Sequence, residues 1–145
     1  MNWKNEAMER LRRYDAMCLA AENIPLEIRR LEEEATSIRS ARADRNYIHA
    51  GTSRREEILL DNMMHRQELH WQLDQTNAWL TCMHKALGAL TEEEKLVLDR
   101  FYMYPEKGSV EKLCQELSLE NSSVYRKRDK ALRQFTIALY GSAES

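Results

Sequence analysis

Four Gly and two Pro are the only strong chain breakers among 145 residues. An all-β fold needs a turn about every 8–12 residues, and those turns draw heavily on Gly and Pro. With so few breakers, long uninterrupted helices are expected. The length suits one domain of ordinary size or two small ones, and it can bury a core without disulfides or metal. Lys and Arg number 22 against 24 Asp and Glu, so the net charge is −2. That balance excludes a globally basic coat, and any nucleic-acid surface must be a local patch. No stretch approaches the roughly 20 apolar residues of a membrane span, and no secretory signal opens the chain. Cys18, Cys82 and Cys114 are odd in number and widely spaced, which argues against a disulfide framework or zinc ribbon. The expectation is a reduced, cytoplasmic, all-α protein.

Apolar residues at Trp3, Ala7, Leu11, Tyr14, Met17 or Cys18, and Ala21 recur in steps of three and four, one face of an amphipathic helix. Ile24-Pro25 is expected to stop it, because proline disfavours the α conformation in the preceding residue. The same proline suits the first turn of a second helix carrying Ile28, Leu31, Ala35 and Ile38. Residues 42–53 (RADRNYIHAGTS) lack a sustained period and read as a linker. Ser53 and Glu56 have capping-box spacing at the head of a long helix running to about Leu87. From Leu69 onward its apolar steps average close to 3.5, the coiled-coil period. Leu69, Leu73, Leu80, Met83 and Leu87 therefore form a candidate oligomerisation seam, and the long helix is expected to be buried partly against the first two helices and partly in a symmetric homodimer. Residues 1–89 read as a helical bundle or coiled coil and 90–141 as a separate domain.

That second domain opens at Thr91-Glu92-Glu93-Glu94, another capping box with three acids at the helix N-terminus. The helix is expected to reach about Tyr104, with Pro105 and Gly108 as the break. Ser109 reads as the cap of a short helix with Val110, Leu113, Cys114 and Leu117. Residues 118–120 read as a tight turn, and Asn121 or Ser122 as the cap of a last helix ending near Gly141. A short helix, a turn of about three residues and a longer basic helix make a helix-turn-helix pattern. Residues 91–120 hold four bases against eight acids, whereas residues 121–135 hold Arg126, Lys127, Arg128, Lys130 and Arg133 against Asp129 alone. An acidic scaffold presenting one basic helix suits a local phosphate-binding surface. At 100° per residue, Val124, Arg128, Ala131, Leu132, Phe135 and Leu139 face inward. Ser122, Arg126, Asp129, Lys130 and Arg133 face outward. Arg128 is thus expected to lay its stem on apolar neighbours or pair with an acid.

Leu90 to Glu94, Val97-Leu98, Phe101, Val110 to Leu119 and the phrase SSVYRKRDKALRQF resemble region 4 of bacterial sigma factors. The chain as a whole looks like the small phage-encoded regulators of the ArpU and RinA type, whose C-terminal part is sigma-region-4-like. The resemblance implies major-groove contacts at Asn121, Ser122, Tyr125 and Arg126. Ser123, Lys127, Lys130 and Arg133 complete the candidate DNA-contacting set. It also implies an accessory activator in a bacterial host cell, with promoter DNA and host RNA polymerase as partners, because nothing here corresponds to the promoter-melting regions of a full sigma factor. Two other readings stand beside it. One is a DNA-packaging protein of the small-terminase kind, and the other a polymerase-binding module that does not read DNA.

Little points elsewhere. His49, His65, His70 and His84 lack metal-site spacing, and no cofactor is expected. Asp61, Glu68 and Asp74 have no nucleophile or oxyanion donor beside them, and no glycine loop cradles phosphate, so an enzyme is not expected. Trp71 and Trp79 read as packing residues. Arg12-Arg13, Arg29-Arg30, Arg54-Arg55 and the run Arg39, Arg42, Arg45 form secondary basic spots, read as partners of the abundant glutamates or, alternatively, as phosphate contacts flanking the main helix.

Overall fold

The computed structural model describes the backbone of residues 2–44 and 50–144 and the side chains of residues 2–41 and 54–144. All regular structure among them is helical, so the chain is all-α. Helix α1 is Trp3–Asp44, α2 is Ala50–Gly88, and α3 is Glu92–Leu98, which passes into a π-helical turn, Asp99–Met103. Helix α4 is Ser109–Leu117 and α5 is Asn121–Tyr140.

Pro25 does not end a helix; it lies inside α1. Its ring stands on the exposed side, where water can reach the carbonyl it leaves unpaired, and Ile28, Leu31 and Ala35 beyond it are buried. Packing of the buried stripe of Ile28, Leu31 and Ala35 carries the helix past a residue that local propensity would have used as a stop. The expected linker is likewise shorter than 42–53, because α1 runs to Asp44 and α2 begins at Ala50. Ser53 therefore lies within the first turns of α2 and is not its cap. Residues 45–49, with Arg45 and His49, fall outside the described residues.

The chain divides into two compact units, Leu19–Asn77 and Met1–Cys18 with Ala78–Ser145. Leu19–Asn77 is an antiparallel pair of helical segments. Asn62 is buried there and satisfied: its Nδ2 donates to the Leu31 carbonyl (2.9 Å) and its Oδ1 accepts from Arg66 Nε (2.8 Å). Thr76, also buried, donates to the Gln72 carbonyl at 2.9 Å. Two helices can cover only one stripe on each other, and Leu19, Leu26, Leu60, Met64 and Trp71 remain exposed.

In the other unit one apolar cluster gathers Ala7, Leu11, Met83, Ala86, Leu90, Leu98, Tyr102, Met103, Ala131, Leu132 and Phe135. Residues from all of α1, α2, α3 and α5 thus share it, and a boundary drawn at 89/90 cuts through it. The seam on α2 is partly covered within the single chain. Leu80 and Met83 are buried, and Leu69, Leu73 and Leu87 are half-buried. Polar and aromatic contacts reinforce the unit. Trp3 packs on Tyr140 with ring centroids 4.8 Å apart, and Tyr14 shares a 2.9 Å hydrogen bond with His84. Burial, helped by a hydrogen bond involving Cys18, pushes the Tyr14 hydroxyl up to about 12.

Candidate nucleic-acid interface

The local grammar around α4 and α5 follows from a few side chains. Thr91 Oγ1 accepts from the Glu94 amide (3.2 Å) and Glu94 Oε1 accepts from the Thr91 amide (3.1 Å), completing the capping box. Helix α3 then buries Val97 and Leu98. Gly108, at φ 76°, takes the left-handed conformation that starts α4. Ser109 does not cap that helix as expected. Its hydroxyl closes the preceding loop, donating to the Glu106 carbonyl (2.6 Å) and accepting from the Glu106 amide (3.1 Å).

Helix α4 ends at Ser118, whose φ of 55° is a left-handed stop, and the Leu119 amide returns to the Cys114 carbonyl at 3.0 Å. Leu119 then packs against a second cluster built on Val97, Leu113 and Val124. The three-residue turn is therefore anchored by its own apolar member. Glu120 is the N-cap residue of α5 and makes no side-chain cap bond. Asn121, expected as a cap, instead accepts a hydrogen bond from the Cys114 thiol at 3.0 Å, which ties the two helices together. At the far end Gly141 closes α5 at φ 78°, its amide bonded to the Ile137 carbonyl at 2.8 Å.

Helix α5 is two-faced as its spacing predicts. Val124, Ala131, Leu132 and Phe135 are buried, together with Thr136, whose hydroxyl is satisfied by the Leu132 carbonyl. Asn121, Ser122, Tyr125, Arg126, Asp129, Lys130 and Arg133 are exposed, and Ser123 and Lys127 are half-buried.

The five cations of α5 are not equivalent. Arg126, Lys130 and Arg133 make no ion pair or side-chain hydrogen bond among the described residues. Lys127 is held by Glu93 at the start of α3, Nζ to Oε2 2.6 Å. This acidic partner, 34 residues earlier, is one that spacing along α5 could not disclose. Arg128 lies along its neighbours, as expected of an inward stripe. Its guanidinium stands 5.3 Å from the Phe101 ring centroid and 5.0 Å from that of Tyr125, and it bonds Asp129 Oδ1 at 3.0 Å. That bond occupies the one acid on the outward face. The open charge of α5 is therefore three cations on one exposed surface.

Two acids of α4 and its approach are paired locally, Glu116 with Arg100 (3.2 Å) and Glu106 with Lys112 (3.3 Å), while Glu111 and Glu120 are exposed and make no ion pair among the described residues. Among the described residues no group of His, Cys, Asp and Glu is gathered to hold a metal ion, and no helix is long and apolar enough to cross a membrane. Comparison with protein-family models, with curated proteins and with solved structures finds no match to this chain.

Proposed function

We propose that this chain is a transcription regulator of the phage or prophage kind that binds double-stranded promoter DNA through α5, with host RNA polymerase as a second partner. The observation that carries the reading is the division of charge within the helix-turn-helix. An apolar-anchored turn presents α5 with Arg126, Lys130 and Arg133 exposed and unpaired among the described residues, while Glu93, Glu106, Glu116 and Asp129 nearby are each held by a local cation. Unpaired cations can take up phosphates without first breaking an ion pair. Arg126 lies near the N-terminal end of the outward face, where a helix seated in the major groove meets base edges, and an arginine there can bond guanine bidentately. Lys130 and Arg133 follow on the same face as phosphate contacts that set register.

A homodimer would bring two α5 helices to half-sites about one helical turn apart. With Leu80 and Met83 buried in the single chain, such a contact would have to draw on apolar residues that remain open, such as Leu60, Met64 and Trp71. Binding of randomised duplexes followed by gel-shift titration tests the main reading. Arg126→Ala is expected to weaken the selected sequence by about 1–3 kcal/mol and relax preference at one base position. Unchanged binding by that variant would remove α5 from the role of reader.

A further inference from the structure

Resting on that reading, we infer that Arg128 is a positioning residue: it sets the Tyr125 ring beside the recognition face of α5 as a contact for the methyl group of a thymine. Tyr125 is 40% exposed although the Phe101 ring lies beside it. Its edge meets Phe101 with centroids 5.7 Å apart and planes at 60°. The guanidinium of Arg128 lies near both rings, 5.0 Å from Tyr125 and 5.3 Å from Phe101. Asp129 Oδ1 receives two hydrogen bonds from Arg128, from Nε at 3.2 Å and Nη2 at 3.0 Å, which fixes the guanidinium and balances its charge. Arg128 is half-buried and engaged by Asp129 and the two rings, so a phosphate would have to compete for it.

The consequence falls on Tyr125. A surface tyrosine ordinarily samples several rotamers and must be ordered when it binds. Here Phe101 and Arg128 restrict it before any DNA arrives. The ring lies on the flank of the Ser122, Arg126 and Arg133 stripe, one residue before the candidate guanine reader. Among major-groove groups, an aromatic face without a charge suits the thymine C5-methyl, which is read by apolar contact. The hydroxyl makes no hydrogen bond among the described residues and stays free for a polar contact, so Tyr125→Phe is the variant that separates its part from that of the ring.

The test uses duplexes selected by the full-length wild-type protein from a randomised pool, with each thymine replaced in turn by deoxyuridine, which lacks only the methyl. Wild-type protein is expected to lose about fourfold in affinity at one position, the worth of one buried methyl group. Tyr125→Phe keeps that discrimination. Tyr125→Ala and Arg128→Met, the latter retaining the aliphatic stem, lose it, and the double variant loses nothing further. In free protein, Arg128→Met also shifts the Tyr125 ring-proton resonances towards unstructured values. A uracil effect that survives Arg128→Met, or ring resonances that do not move, overturns the role of Arg128 alone. A wild-type protein that selects no sequence overturns both this role and the function proposed above.

Discussion

At the residue scale, the contrast between Lys127 and Arg126 shows how far a sequence reading can go. Both were visible as cations on a basic helix, and 100° spacing separated the outward face from the inward one. Spacing could not show that Glu93 approaches Lys127 to 2.6 Å, because that partner lies on another helix. The same limit applies to caps. Thr91 and Glu94 are legible as a box because both partners are local, whereas Ser109 and Asn121 bond across a loop and between helices. Exposed ion pairs contribute little to stability, so the Lys127–Glu93 contact matters little to folding and, under the proposed function, would bear on phosphate binding. A phosphate approaching Lys127 meets a competing carboxylate. Glu93→Gln is therefore expected to tighten binding to all sequences alike and to steepen the logarithmic salt dependence by about one unit, since one more cation becomes available. Gel-shift titrations across a salt series check this, and an unchanged slope would mean Lys127 makes no phosphate contact.

At the scale of elements, helical content and the two faces of α5 were legible because hydrophobic period and burial agree. The long N-terminal helices were misjudged at Pro25 and Ser53, where local signals disagree with packing. A proline inside an exposed helical face removes one backbone hydrogen bond and crowds the preceding turn, and the continuous α1 carries that cost. Pro25→Ala is expected to stabilise the protein by up to about 3 kcal/mol, read as a higher urea midpoint with an unchanged slope. No gain would indicate that the helix is already relaxed around the ring. The seam on α2 was legible as a buried face, but not in how its cover is divided. Its period is that of a coiled coil, but periodicity identifies a buried face without saying which chain buries it. Here Met83 is covered by residues of α1, α3 and α5.

At the scale of the whole molecule, the helix-turn-helix segment depends on distant parts of the chain. A fragment comprising residues 90–145 lacks Ala7, Leu11, Met83 and Ala86, which pack against Leu98 and Phe135 in one cluster. Exposing several large side chains, each worth about 2 kcal/mol or more, should leave that fragment without a cooperative thermal transition. A sharp transition near that of the full chain would show the segment to be autonomous. Tyr14 supplies a second check. Its hydroxyl is raised from 10.0 to about 12, and burial also raises Tyr102 and Tyr104. The folded state holds these protons more tightly than the unfolded chain, so the stabilisation is complete below pH 10 and is lost as pH rises towards 12. Urea midpoints measured from pH 9 upward should fall, and Tyr14→Phe should flatten the fall. The pairing of Trp3 with Tyr140 has a further consequence, in time. A ribosome adding roughly 5–20 residues per second releases Tyr140 on the order of ten seconds after Trp3. Ala7 and Leu11 wait through that interval without their cover, whereas both halves of Leu19–Asn77 emerge early enough to pair while synthesis continues. The segment of Ala7 and Leu11 thus leaves the ribosome well before its cover and is among the last to find its place.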